Sequence, residues 1–153
     1  MNTNEQIQLR GDLDIVLLDS SGAVKDKREL RNLVVDTGLA FFISRAVGTA
    51  KAVMSHKALG SGTTVAAAGD TALESQIGSR KALDSTTIAG ANNEKVVYVA
   101  TFAPGEGTGA VTEAGIFNNA AGGDMLCRTV FAVVNKAADD TMQITWTLTL
   151  AAS

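Results

Sequence analysis

Residues 141–150 decide the fold of this chain, and they read Thr141-Met142-Gln143-Ile144-Thr145-Trp146-Thr147-Leu148-Thr149-Leu150. Apolar side chains alternate with glutamine and threonine along the stretch, which is the two-residue period of a strand with one buried and one solvated face. Trp146 falls on the apolar side of this pattern, so we expect it in the core. The stretch therefore predicts a half-buried β-strand.

The residues before this strand have the same character. Short β-rich runs cover residues 96–102, 110–117 and 125–134, and clusters of Gly, Asn, Asp and Pro separate them at 104–109 and 118–124. Short strands divided by turn residues are typical of a sandwich or barrel of antiparallel strands. The last third of the sequence thus predicts a β-rich block.

A hairpin is predicted near the start of the sequence. Apolar residues recur at even spacing over residues 6–19, and a second, more charged run covers 23–34 after the turn at 19–22. Gly11 interrupts the first run and indicates a bulge or a bend. The charged residues 25–29 indicate an edge or a solvent-facing segment, where charges discourage unwanted strand pairing.

The best helical signal follows at Asp36-Thr37-Gly38. Apolar residues recur on one face at helical spacing, namely at Leu39, Phe42, Ile43, Ala46 and Val47. Asp36 or Thr37 is the expected N-cap, and Gly48 lies near the expected C-terminus. This pattern predicts one α-helix that buries its apolar face.

Shorter elements are predicted in the middle of the chain. Residues 51–59 indicate a strand, and residues 80–88 indicate an extended segment. Between them, Thr71-Ala72-Leu73-Glu74 has the spacing of a capping box, which predicts a short helical turn that ends at Gly78.

Together these elements predict a mainly β fold. We expect an antiparallel β-sandwich or jelly-roll-like arrangement of about eight strands, with one α-helix and a short helical turn. The 153 residues are expected to form one domain, 1–153, with a short polar N-terminal arm at residues 1–8. Periodicity does not encode strand order, so a jelly roll and other sandwiches of this size both remain open.

Composition narrows the range of partners. The net charge of −3 provides no basic footprint, so we expect no nucleic-acid partner. Residues 1–10 lack a secretory pattern, and the apolar runs are far shorter than the roughly 20 residues that span a membrane, so we expect no membrane partner. The single Cys127 lies in an apolar run and is expected to be a buried, inert thiol, which fits a reducing cytosol.

Few residues are suited to catalysis or to metal binding. His56 is the only histidine and Cys127 the only cysteine, so a His/Cys metal cluster is excluded by count. Asp139 and Asp140 are expected to be solvated turn formers. The glycine-rich segments at 60–64 and 105–109 lack the sequence context of phosphate-binding loops. We therefore expect a non-enzymatic protein with no cofactor and no metal.

Six segments stand in a distinctive order between residues 30 and 150. They are Leu33-Val34-Val35-Asp36-Thr37-Gly38-Leu39, Ala58-Leu59-Gly60-Ser61-Gly62-Thr63-Thr64, Gly69-Asp70-Thr71-Ala72-Leu73-Glu74, Glu113-Ala114-Gly115-Ile116-Phe117-Asn118, Arg128-Thr129-Val130-Phe131 and the Thr/Leu strand at 141–150. Taken together they resemble a family of tailed-bacteriophage structural proteins, whose members occur as capsid cement (decoration) proteins and as baseplate or tail-fibre components. The resemblance implies a part of the virion with a β-sandwich or jelly-roll fold, often a trimer.

Within that family, we expect a capsid cement protein that binds and stabilises the shell of the major capsid protein. The compact chain, with no shaft or receptor-binding domain after its last strand, favours the head over the tail. The resemblance implies a homotrimer at local three-fold positions of the capsid surface, in a virion assembled in the host cytoplasm. A protein that binds only the expanded lattice would stabilise it by mass action.

Two segments are candidate contacts with the shell. The polar arm supplies Asn2, Thr3, Asn4, Glu5 and Gln6, and the loop after residue 62 supplies Thr63, Thr64 and Asp70. Flexible segments of this kind can order on binding and cover a large surface.

Two alternatives remain open at this point. The first is a tail-fibre, baseplate or adaptor protein of the same fold, attached through the N-terminal arm. The second is a carbohydrate-binding module that uses Trp146 and Tyr98 as a platform.

Overall fold

The computed structural model of the protein describes residues 5–152, and most of its regular structure is β. The elements are β1 (Ile7–Leu18), β2 (Val24–Val34), α1 (Asp36–Ser44), β3 (His56–Gly60), β4 (Gln76–Ala82), β5 (Ser85–Ala89), β6 (Lys95–Phe102), β7 (Gly109–Phe117), β8 (Met125–Lys136) and β9 (Thr141–Ala152). The nine strands form one curled antiparallel sheet in the order β4-β3-β7-β8-β2-β1-β9-β6-β5. The predicted mainly β, sandwich-like class is confirmed, with nine strands in the described residues where about eight were predicted.

β2 joins the two halves of the sheet. The part of β2 from Val24 to Asn32 pairs with β1, whereas only Leu33 and Val34 pair with β8. Because so short a seam holds β8, the twist of the strands can curl the sheet at this point. The curl places β3, β7 and β8 opposite β1, β9 and β6, and the core lies between these two groups.

Side chains from both groups fill this core. The inward residues of β1, β6 and β9 are Leu13, Ile15, Leu17, Tyr98, Ala100, Phe102, Met142, Ile144, Trp146 and Leu148. Trp146 is fully buried, as the alternation in residues 141–150 predicted. Cys127 is buried in the same cluster, and this burial raises the pKa of its thiol, so the sulfur stays protonated and inert. Both predictions are confirmed.

The helix buries a face shifted from the predicted one, although Phe42 packs against the core as predicted. Gly38 lies so close to β8 that a Cβ atom there would overlap the carbonyl oxygen of Leu126. This approach turns Gly38 and Phe41 towards the sheet, and both are buried. Leu39 and Ile43, which were predicted to face the core, are exposed as a result. The absence of a side chain at Gly38 therefore orients the helix more strongly than apolar periodicity does.

The ends of the helix also differ from the prediction. Val35 is the N-cap, one residue before the two predicted candidates, and its side chain makes no capping hydrogen bond. The hydroxyl of Thr37 instead donates a hydrogen bond to the carbonyl oxygen of Met125 at 2.5 Å. The helix ends at Ser44, so positions 46–48 lie outside it.

Three other predicted elements are corrected by the structure. β3 begins at His56 rather than at residue 51, and residues 83–84 divide the predicted extended segment into β4 and β5. Residues 71–74 form no helical turn. The capping interaction fails there because the Glu74 carboxylate binds Thr64 from another part of the chain.

One charged side chain crosses the sandwich. Lys57 of β3 is fully buried, and its Nζ donates hydrogen bonds to the carbonyl oxygens of Tyr98 and Ile144, each at 2.6 Å. Burial lowers the pKa of this amine well below its usual value, and attraction to the Asp84 carboxylate opposes the shift. Lys57 therefore links the two halves of the sheet at the cost of desolvating an amine.

Replacing Lys57 with methionine is expected to raise the free energy of unfolding at pH 7 by about 1–4 kcal/mol, as when other buried charges are exchanged for apolar groups of similar size. The pKa of Lys57 is lower in the folded protein than the unfolded value of 10.5. The wild type therefore loses stability as pH falls from 10.5 to the folded-state pKa, because the unfolded chain binds the proton more readily. The advantage of Lys57→Met should therefore shrink as pH rises towards 10.5. Urea unfolding of the wild type and of Lys57→Met, at pH 7 and at a pH close to 10.5, measures how the difference in stability changes.

Lys27→Met is the matched control, because the Lys27 side chain is largely exposed. We expect it to change the free energy of unfolding by less than about 0.5 kcal/mol. A Lys57→Met protein less stable than the wild type at neutral pH would contradict the prediction and show that the two hydrogen bonds outweigh the desolvation of the amine.

Candidate functional site

A buried ion network lies beneath the loop between β3 and β4, and Arg128 of β8 is its centre. The Arg128 side chain is only 3% exposed. Its Nε donates to Oε2 of Glu113 at 3.0 Å, and its Nη1 donates to Oδ2 of Asp70 at 2.7 Å. Its Nη2 lies 2.9 Å from the same Glu113 oxygen and donates to the carbonyl oxygen of Thr64 at 3.1 Å. One guanidinium thus joins the sheet to two points of the loop.

Glu113 of β7 continues the network into the loop backbone. Its Oε1 accepts hydrogen bonds from the amides of Gly62 at 3.0 Å and Ser75 at 2.7 Å, and its Oε2 accepts one from the amide of Glu74 at 3.1 Å. A fully buried carboxylate is tolerated only when its charge is paired and its oxygens are bonded. Glu113 meets both conditions, and it holds both ends of the loop in doing so.

Two further carboxylates shape the loop from within. Oδ2 of Asp70 accepts the amide of Ala67 at 2.9 Å, and the Glu74 carboxylate accepts the amide of Thr64 at 2.8 Å and its hydroxyl at 2.9 Å. The Ala67 amide, followed by Arg128, lowers the pKa of Asp70. The bonds from Thr64 lower the pKa of Glu74. Both groups therefore stay ionised in the folded protein down to acidic pH.

The glycines of the 60–64 segment are explained by this carboxylate. A Cβ atom at Gly60 or at Gly62 would stand 2.5 Å from Oε1 of Glu113, a distance that real Cβ atoms do not reach. The hydroxyl of Thr112 also donates to the carbonyl oxygen of Gly62 at 2.7 Å. The Gly-Ser-Gly sequence thus lets the loop backbone close over Glu113, a close-packing role that agrees with the rejection of a phosphate-binding loop.

We call residues 61–75 the latched loop, because the network fixes it against the sheet. The most exposed apolar side chain of the loop is Val65, which is 81% exposed. Val65 and Ala66 border a shallow depression of about 290 Å³ that Leu33 and Arg31 of β2 also line. The loop therefore presents an apolar tip in a fixed position beside an arginine.

The structure gives the predicted contact residues different roles. Thr63 and Thr64 are exposed on the latched loop. Asp70 is half-buried, and its carboxylate binds Arg128 and so supports the loop from inside. Thr64 and Asp70 are brought together around the same guanidinium. The sequence predicts a flexible loop here, whereas in the structure bonds to Glu113 and Arg128 hold its backbone against the sheet.

The N-terminal candidates are only partly described. Residues 2–4, which are Asn2, Thr3 and Asn4, lie outside the described residues. Glu5 and Gln6 are exposed and precede β1. The predicted arm 1–8 is too long, because Ile7 and Gln8 already pair with the end of β9.

Sequence reasoning missed the residues that organise this site. Arg128 and Glu113 stand 15 positions apart and meet only because β7 and β8 pair. The Glu106 carboxylate, on the turn before β7, binds Lys81 at 2.9 Å and takes no part in the network. A single charged residue within each of the mainly apolar runs 110–117 and 125–134 was the signal that could have indicated a buried ion pair.

Other candidate groups from the sequence also have defined surroundings. Asp140 is buried and pairs with Lys25 at 2.7 Å, so the prediction of a solvated turn acid is wrong for this residue. Nδ1 of His56 lies 2.8 Å from the hydroxyl oxygen of Ser55. Trp146 and Tyr98 are buried, so they form no exposed platform for a sugar ring.

Comparison of this chain with family models, curated proteins and solved structures found no match. Within residues 5–152, His, Cys, Asp and Glu side chains do not gather in groups of three or more that are placed to hold a metal ion. No helix in that same range has both the length and the apolar character needed to cross a membrane.

Replacing Glu113 with glutamine is expected to lower the free energy of unfolding by about 3 kcal/mol, because it removes the fully buried counter-ion of Arg128 and leaves the half-buried Asp70 as its closest carboxylate. The amides of Gly62, Glu74 and Ser75 should also exchange hydrogen faster. Urea unfolding and amide hydrogen exchange measure the two effects. The control is Glu29→Gln, at an exposed carboxylate of β2, and unchanged exchange at the three loop amides would contradict the latch.

Acid is expected to release the latched loop before it unfolds the sheet. The native pKa values of Asp70 and Glu74 are lowered from 3.8 and 4.5, so the stability these groups contribute is complete above those values. This contribution to stability is lost as pH falls through the lowered pKa values that Asp70 and Glu74 have in the folded protein. Amide exchange at Ala67 and Thr64, compared with Ile144 in β9, should show early loss of protection in the loop. Simultaneous loss at all three amides would contradict this order.

Proposed function

We propose that this protein is a non-enzymatic structural protein of a tailed-phage virion, and that it acts as a capsid cement protein on the shell of the major capsid protein. The observation that carries the proposal is the latched loop, an ordered surface loop that presents Val65 beside the depression on β2. The resemblance of the six sequence segments to phage structural proteins supports the same function.

The physical argument is preorganisation. A cement protein binds a lattice more tightly if its contact segment is already ordered, because ordering a segment on binding costs free energy and lowers affinity. In the latched loop, bonds to Arg128 and Glu113 have already fixed the backbone. The exposed Val65 then offers an apolar anchor beside Leu33 and Arg31 of β2, and an apolar centre is usual in contacts between proteins.

We propose that the protein acts by binding one state of the shell in preference to the other. If the loop fits a surface that adjacent shell subunits complete only in the expanded lattice, binding stabilises that lattice by mass action. This action needs a complementary surface and no reacting group. The loop consists mainly of small residues, namely alanine, threonine, glycine and serine, which are suited to close packing against a second protein.

The test is rebinding of the purified protein to expanded shells that lack it, with the bound copies counted relative to the major capsid protein. We expect a copy number that is a simple fraction of the shell count. Val65→Asp should weaken binding at least about tenfold, because it places a charge at the apolar contact. Circular dichroism checks that the variant remains folded.

Val24→Asp is the matched control, because Val24 is also an exposed valine but lies at the start of β2. It should bind the shells like the wild type. Failure of the wild type to bind shells would refute the cement proposal. A few copies per native particle would instead assign the protein to the tail or baseplate.

A further inference from the structure

The nine-stranded sheet has two edges, and they differ in character. β4 forms one edge and β5 the other. β4 carries Arg80 and Lys81, contains Gly78 at φ +64°, and has an irregular register with β3. Charged side chains and irregular backbone are the features by which natural edge strands avoid pairing with other chains. β4 is therefore a protected edge.

β5 has none of these protections along its length. Its sequence, Ser85-Thr86-Thr87-Ile88-Ala89, contains no charge, no proline and no glycine, and three of its five residues are β-branched. Its register with β6 is regular throughout. Among the described residues, its backbone pairs with β6 alone, so the opposite side of the strand is open. Residues 85–88 are exposed, and Ile88 is 72% exposed.

We propose that β5 is the contact surface for a second copy of this chain, and that two β5 strands pair antiparallel about a two-fold axis at Thr87. The β5 sequence is self-complementary in this register. Thr87 lies opposite its own copy, each Thr86 lies opposite an Ile88, and each Ser85 lies opposite an Ala89. Cross-strand pairs of β-branched residues are favourable, and no like charges meet at the axis.

The surface next to β5 adds apolar area to the same contact. Thr86 and Ile88 lie on the side of β5 that faces α1, where Phe42 and Val96 line two depressions of about 340 and 210 Å³. Pairing places the Ile88 of each copy beside the Thr86 of the other on this side. The exposed isoleucine is thereby covered, while the backbone donors and acceptors of the open edge find partners.

This pairing is independent of the proposed function and has a different symmetry from the expected trimer. An isologous contact uses the same surface on both chains and closes with two copies. The resemblance to phage structural proteins implies a trimer, which needs a contact between two different surfaces. The mass of the assembly in solution distinguishes the dimer from the trimer.

The experiment measures mass by light scattering for the wild type and for two charge variants at the axis. The wild type should have twice the single-chain mass of 15.8 kDa. Thr87→Lys alone and Thr87→Asp alone each bring like charges together and should halve that mass. An equal mixture of the two variants brings opposite charges together and should restore the mass of two chains.

Ser79→Lys is the control, because it adds the same charge to the exposed, protected edge β4. It should keep the mass of the wild type, and circular dichroism should show all variants folded, since Thr87 is exposed. In hydrogen exchange, the β5 amides that point away from β6 should be slow in the wild type and fast in Thr87→Lys.

The proposal has clear contrary results. A wild-type mass of one chain or of three chains would overturn it. So would a Thr87→Lys variant that keeps the mass of two chains, or a mixture of the two variants that stays at the mass of one. None of these results depends on shell binding, so they do not test the cement proposal, which the rebinding experiment tests separately.

Discussion

The buried pair of Arg128 and Glu113 is the interaction on which the surface of this protein depends. Two opposite charges taken out of water stabilise a fold only if their remaining donors and acceptors also find partners. β7 and β8 bring the two side chains together, but the strands leave several of those donors and acceptors unbonded. The latched loop supplies the missing partners through its amides and carbonyl groups. The ion pair and the loop therefore require each other.

This mutual requirement explains why a long loop without regular structure is ordered. Residues 61–75 contain neither helix nor strand, and five of their backbone amides donate hydrogen bonds to carboxylates. Glycine at positions 60 and 62 lets the chain approach Glu113, and Asp70 and Glu74 complete the inner contacts. The exposed side chains are left outside this scaffold. A segment whose polar atoms are used internally can present a purely packing surface to a partner.

A second constraint acts on the sheet itself. The short seam between β2 and β8 lets one continuous sheet fold over its own core. Because the sheet does not close into a barrel, it has two edge strands, β4 and β5. One edge carries charges and a glycine at positive φ, and the other carries threonine and isoleucine. Such an asymmetry is typical of a sheet that uses one edge for contact and protects the other. The proposed loop contact and the proposed edge contact use different residues of the chain, 61–75 and 85–89.

The sequence by itself determined the strands of the last third, the hairpin of β1 and β2, the single helix and the burial of Trp146 and Cys127. These features depend on local alternation and turn residues, which neighbouring positions encode directly. Only the tertiary structure decided the strand order, the helix face, the buried roles of Asp70 and Asp140, and the pairing of Arg128 with Glu113. Each of these depends on residues far apart in the chain, and the energy of a buried charge is set by partners that periodicity does not specify. The carboxylate of Glu74 illustrates the difference, since residues 71–74 have capping-box spacing but the carboxylate binds Thr64, ten residues earlier, instead of capping a helix.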